Sequence, residues 1–258
     1  MSDTPPLNPP RTVIIVQARM GSSRLPGKAL KEALEKPLLG YLVDRLRLVN
    51  AADDIIIATT TDAKDQVIVD FCQSEKVPIF RGSENNVLDR FYHAALAFQA
   101  DTVVRITADC PLIDPVLIDE AIQFYHEKRP QHDYVSNAYV RSFPLGMDVE
   151  VFSFKSLAQA AEEANLEEEK EHVTPFIYRR PHRYNVGIIS HEPNLSHYRL
   201  TVDTEEDFQL VKKLIEYIYP TNPDFTMDDI LVVLRRHPDW LQINAGIKQR
   251  EINRKTDT

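Results

Sequence analysis

Cysteine is nearly absent from this chain, with Cys72 and Cys110 the only two. Two are too few for a disulfide framework or a cysteine-built zinc site, and their scarcity fits a reducing cytoplasm. No apolar run approaches the ~18 residues of a membrane span, and no secretory leader is legible at the start. Glycine is scarce as well, seven in 258 residues, so a turn that holds two of them asks for a reason. Positive charge is in deficit: 30 Lys and Arg stand against 39 Asp and Glu, a formal net charge of −9. That balance argues against a general binder of nucleic acid or anionic membrane, which needs a basic field. A polyanionic ligand must then be held by local clusters of cations.

What is present reads as alternating strands and helices. "TVIIV" after Arg11 is a short β-branched run of the kind that forms a buried strand, and "DIIIATT", "VPIF" and "TVVRIT" read likewise. Between them "KPLLGYLVDRLRLV", "DQVIVDFCQSE", "NVLDRFYHAALAFQ" and "PVLIDEAIQFYHE" carry apolar residues at helical spacing. This series predicts an α/β fold: a Rossmann-like, mostly parallel sheet flanked by helices. Beyond residue 128 the order loosens. "DYVSNAY", "DVEVFSF", "YNVGII" and "YRLTV" read as strands, "FKSLAQAAEEAN" as a helix, and "LEEEKEHVTPFIY" as a helix with its acidic face in water. Thr204 and Asp207 form a capping box ahead of one late helix, and Thr226 opens another. The simplest division is a proline-rich, disordered leader over 1–10, one domain over 11–240 with an insertion near 130–185, and a tail over 241–258.

Ligands of such sheets sit beyond the carboxyl ends of the strands. Three groups are expected there: the loop after "TVIIV", Asp109 after "TVVRIT", and Asp203 after "YRLTV". The loop, "QARMGSSRLPGKAL", is not a Walker loop, because five residues separate Gly21 from Gly27 and Ala29 replaces the metal-binding hydroxyl. The dinucleotide pattern GxGxxG is absent. Even so, Gly21 and Gly27 expose backbone N–H groups, Ser22 and Ser23 add hydroxyls, and Arg19, Arg24 and Lys28 add three positive charges. These are the parts of an anion site.

The loop resembles the phosphate-binding signature of the cytidylyltransferases of sugar acids, the family of the CMP-sialic acid and CMP-Kdo synthetases. "RGSENNVLDRF", "RITADCPLIDP", "PLGMDVEVF", "EHVTPFIY" and "RLTVDTEEDF" resemble, in the same order, further blocks of its spore coat polysaccharide biosynthesis protein F branch. The likeness covers roughly Val13 to Leu214. It implies a nucleotide-diphospho-sugar transferase-like fold and an enzyme that joins CMP from CTP to an acidic sugar or related acceptor, releasing pyrophosphate. It also implies a homodimer, and no nucleic-acid or membrane partner is expected.

By the resemblance, Gln17, Ala18, Arg19, Gly21, Ser22, Ser23, Arg24, Lys28, Arg105 and Asp109 bind the nucleotide, and Asp109 and Asp203 hold Mg²⁺. Arg19, Arg24 and Lys28 would carry the triphosphate and steady the leaving pyrophosphate. A bland role stands beside each: Asp109 as a turn former, Asp203 as a charge at a helix N-terminus, Arg105 as a surface ion pair. Asp89, Arg90, Asp148, Glu150, Glu171 and His172 are the acceptor-side candidates. Asp89 and Arg90 point to different faces of a helix, so at most one enters the site. Asp148 and Glu150 are two apart and share one face of a strand. His172 is an acceptor contact, a general base or a structural residue. Asn86 stands where this branch would carry an acidic residue. The motifs do not read the base, so another NTP, a metal-dependent glycosyltransferase and a non-catalytic nucleotide-binding protein stay open.

Overall fold

The computed structural model describes residues 10–129 and 131–249. Most of the expected leader and the tail from 250 onward lie outside them. β1 (Thr12–Gln17) runs into the glycine-containing loop and a 3₁₀ turn over Lys28–Leu30. A small hairpin follows, β2 (Glu32–Ala33) and β3 (Lys36–Pro37), and then α1 (Leu38–Leu46). The alternation continues with β4 (Asp54–Thr60), α2 (Gln66–Ser74), β5 (Ile79–Gly82), α3 (Val87–Ala97), β6 (Thr102–Thr107) and α4 (Pro115–Glu127). The second half supplies β7 (Tyr134–Ser136), β8 (Glu150–Ser153), α5 (Phe154–Glu163), α6 (Glu167–His172), α7 (Pro175–Tyr178) and β9 (Val186–Ile188). It closes with α8 (Glu205–Ile218) and α9 (Met227–Arg236).

Among these residues the main sheet has seven strands in the order β5-β4-β1-β6-β8-β7-β9. Only β8 runs against its neighbours. β1 lies inside the sheet between β4 and β6, and Val13 to Val16 are all fully buried. Each such side chain contributes roughly 1.5–3 kcal/mol when removed from water. Burial on both faces is why this strand reads as a continuous apolar run rather than an alternating one. Ile14 and Val16 face a core shared with α1, α2, α4, α8 and α9, while Val13 and Ile15 face one shared with α3, α5 and α7. The region near 130–185 supplies β7 and β8 to the same sheet.

Two readings of the second half need correction. "YRLTV" is not a strand of the sheet. It is an extended, buried segment whose amides bond to loops: Leu200 N–H to the Leu145 carbonyl at 2.7 Å and Val202 N–H to the Asp109 carbonyl at 2.8 Å. "LEEEKEHVTPFIY" is two helices, broken at Val173, which has φ 72° and ψ −56°. Its acidic face is not wholly in water, because Glu169 is buried and pairs with Arg180 at 2.7 Å.

Candidate active site

β1 and β6 are adjacent and parallel, with Gln17 opposite Thr107, so the loops that leave them begin side by side. The topology changes direction here: β4 lies on one side of β1 and β6 on the other. A crevice opens at such a point. The β1 loop is held from beneath. Met20 N–H donates to the buried carboxylate of Asp65 at 2.7 Å, and the Met20 carbonyl accepts from both Ser22 and Gly27 at 3.0 Å. Gly27 has φ 71°, and a Cβ there would also press on Met20. Glycine therefore takes up this position without the strain another residue would meet. The hairpin and 3₁₀ turn separate the loop from α1, so its capacity for anions rests on its cations and amides, not on the dipole of that helix.

Asp203 reaches the crevice because its segment is tied to Asp109. Thr201 Oγ1 and the Val202 N–H both donate to the Asp109 carbonyl. Arg199, which the sequence reading did not single out, lies between Asp203 (3.2 Å) and the fully buried Asp207 (2.7 Å). Asp207 also accepts from the amides of Asp203 and Thr204, closing the expected capping box.

Lys28 joins the two aspartates. Its Nζ lies 2.8 Å from Asp109 Oδ2 and 2.8 Å from Asp203 Oδ1, and Arg24 reaches Asp203 at 2.9 Å. Burial alone would lower the Lys28 pKa, but the two carboxylates hold it above the usual lysine value. Burial would likewise raise that of Asp109; Lys28, with Thr107 and Cys110 as donors, holds it below the usual range. Cys110 is a small buried residue whose thiol is pushed well up by burial and by Asp109. Arg19 is exposed and has no ion-pair or hydrogen-bond partner among the described residues.

The donor set suits a magnesium ion. Two carboxylates already converge on one cationic group, the Lys28 ammonium. Among the described residues no group of three or more His, Cys, Asp or Glu is placed to hold a metal. A pair of hard oxygen donors, completed by phosphate oxygens and water, is a usual protein share for Mg²⁺.

The remaining candidates separate. Arg105 lies within β6, with Nη2 3.0 Å from Gln17 Oε1 and Nη1 paired to Glu150. Glu150 opens β8 in the interior, and its carboxylate is taken by Arg105, Tyr134 and Thr174. Asp148 precedes that strand instead of sharing a face with Glu150, and forms a two-point pair with Arg141. Arg90 is buried and donates to the Ser83 carbonyl, whereas Asp89 lies near the surface beside His93 at 3.2 Å. Burial lowers the Arg90 pKa to about 10, and the charge of Arg19 adds to that. Asn86 caps α3 by accepting from the Asp89 N–H. Glu171 is exposed and His172 half-buried at the end of α6. Burial lowers the His172 pKa, and Arg105 works in the same direction against Glu171. No helix of the described residues is long and apolar enough to cross a membrane.

Comparison with known proteins agrees with this architecture. A family model described as cytidylyltransferase matches residues 13–228. Spore coat polysaccharide biosynthesis protein SpsF of Bacillus subtilis is 35% identical over 88% of this chain and 95% of its own length. An uncharacterized protein of Methanocaldococcus jannaschii is 38% identical over 92% of this chain and 95% of its own. A solved cytidylyltransferase from Leptospira borgpetersenii superposes with a TM-score of 0.87 at 29% identity, covering 93% of this chain and 99% of that one. The sheet with its crevice is thus the nucleotide-diphospho-sugar transferase fold, and the chain belongs to the cytidylyltransferase family of nucleotidyl-transferring enzymes.

Proposed function

We propose that the protein transfers CMP from CTP to a sugar acid, or a closely related acidic acceptor, in the synthesis of a surface polysaccharide precursor. The observation that carries this reading is the meeting of Lys28 with Asp109 and Asp203 at the ends of β1 and β6. An acceptor oxygen attacks the α-phosphorus, the α–β anhydride bond breaks and pyrophosphate leaves. Arg19, Arg24 and Lys28 hold the triphosphate and take up the charge that builds on the leaving group. The amides of Gly21 and Ser23 and the hydroxyls of Ser22 and Ser23, beside Gln17 and Ala18, fix the line of approach. Asp109 and Asp203 would hold Mg²⁺, which when bound draws charge from the phosphate oxygens.

Arg105 stands between the nucleotide and the acceptor side. Asp89, Asp148, Glu171 and His172 are the groups we assign to the acceptor side, with residues 130–185 as the segment that selects it. We take the working enzyme to be a cytoplasmic homodimer. The base is tested by thermal melting with each of the four NTPs and Mg²⁺, since a ligand bound only by the native state raises the melting temperature. CTP should give the largest shift; a larger one with another NTP would replace CTP in this reading.

A further inference from the structure

Glu150 joins the nucleotide loop to the acceptor-side turn through groups inside the protein. On one side its carboxylate pairs with Arg105, whose Nη2 donates to Gln17 at 3.0 Å. Gln17 is the last residue of β1, where the nucleotide loop begins. On the other side Glu150 Oε1 accepts from Tyr134 and from Thr174, each at 2.6 Å. Strand pairing fixes the arrangement, since Glu150 stands opposite Arg105 in one direction and Ser136 in the other.

The Thr174 end is under strain. Val173 is β-branched and fully buried, with φ 72° and ψ −56°. The Thr174 N–H donates to the His172 carbonyl at 2.8 Å, which closes a three-residue γ-turn of the rare, strained hand. A non-glycine residue keeps such a conformation only where its surroundings over-determine it. Glu150 supplies one such constraint through Thr174 Oγ1, and the core around Val173 supplies another. His172 is the first residue of that turn. Burial works against a carboxylate at Glu150, but Arg105, Thr174 and Tyr134 keep it charged and so keep the chain of bonds intact.

We propose that Glu150, acting through Arg105 and Thr174, is a positioning residue that holds the His172–Thr174 turn in register with the nucleotide loop, so that nucleotide binding orders the acceptor side. The inference rests on the reading that CTP binds the loop after β1. Fixing Gln17 by nucleotide contacts restrains Arg105, then Glu150, then the strained turn. Ordering of this kind passes between sites without a large change of shape.

The test follows amide hydrogen exchange in the full-length protein, with and without CTP and Mg²⁺, over residues 17–30 and 167–178. In the unaltered protein CTP should slow both segments, the second by about threefold or more. Thr174→Val should keep CTP affinity within about threefold and keep protection of 17–30, yet lose the response of 167–178. Thr174→Ser should restore it. Tyr134→Phe, which removes a different donor to the same carboxylate, should weaken the response and serves if Thr174→Val does not fold. Protection confined to 17–30 in the unaltered protein, or a full response in Thr174→Val, would overturn the inference and leave the CTP reading standing. No protection in either segment would overturn the CTP reading and the inference with it.

Discussion

Lys28 Nζ sits between Asp109 and Asp203, 2.8 Å from an oxygen of each. The ammonium thus lies between the two carboxylates that the proposed function assigns to the metal. On the proposed reading, a triphosphate held by Arg19 and Arg24 would offer Lys28 new partners and free the two aspartates. Metal and nucleotide should therefore bind together more readily than either does alone.

Removing the ammonium separates its two effects. Lys28→Met should bind Mg²⁺ without nucleotide more tightly than the unaltered protein, on the order of tenfold, because a competing cation is gone. Turnover should fall on the order of 100- to 1,000-fold as the leaving group loses its support. Calorimetric titration with Mg²⁺ and a pyrophosphate-release assay measure the two. Unchanged metal affinity would mean that Lys28 does not compete for the site.

Asp109→Asn should leave the fold intact, because Thr201 and Val202 bond to the main-chain carbonyl of Asp109 and not to its side chain. Pyrophosphate release should drop about 100-fold or more, and a chelator should have the same effect on the unaltered protein. Retained turnover in this variant, with a normal melting temperature, would place the metal elsewhere.

Asp207 is a stability residue. It is fully buried and holds Arg199, the amides of Asp203 and Thr204, and Asn244. Asp207→Ala should cost about 3–5 kcal/mol in urea unfolding, the usual penalty for breaking a buried ion pair. It should also loosen Asp203 and reduce turnover. A loss below about 1 kcal/mol would show that the pair is dispensable.

Histidine titration should set the acid side of stability. Burial, foremost, holds both His126 and His172 below the ordinary imidazole value; Arg129 adds to it at the first against Asp53, and Arg105 at the second against Glu171. The unfolded chain therefore binds more protons on these rings than the folded one. Their contribution is complete above about pH 6.5 and is lost as pH falls through that value toward the folded pKa. Urea midpoints should drop between about pH 7.5 and about pH 5.5, and drop less in His126→Gln. Equal midpoints would contradict the assignment.

The first half of the fold was legible because local pattern and global fold agree there. Apolar runs bounded by polar turns gave the central strands, and "PVLIDEAIQFYHE" matches α4 residue for residue. "YRLTV" failed for a physical reason: one aromatic and two β-branched residues in five report an extended backbone, and whether its partner is a strand or a loop is decided far away. The break at Val173 left no local trace: Thr174, the residue before Pro175, keeps a helical backbone with φ −97° and ψ −12°, and the turn lies one residue earlier. Lys28, Asp109 and Asp203 were readable as separate chemistry at predicted strand ends. Arg199, Tyr134 and Thr174 were not, because each acts through a partner brought near only by folding.

The reaction itself tests the account most directly. The protein is incubated with CTP, Mg²⁺ and a panel of sugar acids, and pyrophosphate and CMP-conjugate are measured together. The account predicts that at least one acid gives both products in equal amounts, and that omitting CTP, the metal or the acid gives neither. No pyrophosphate with any acid, together with no detectable binding of CTP, would contradict it.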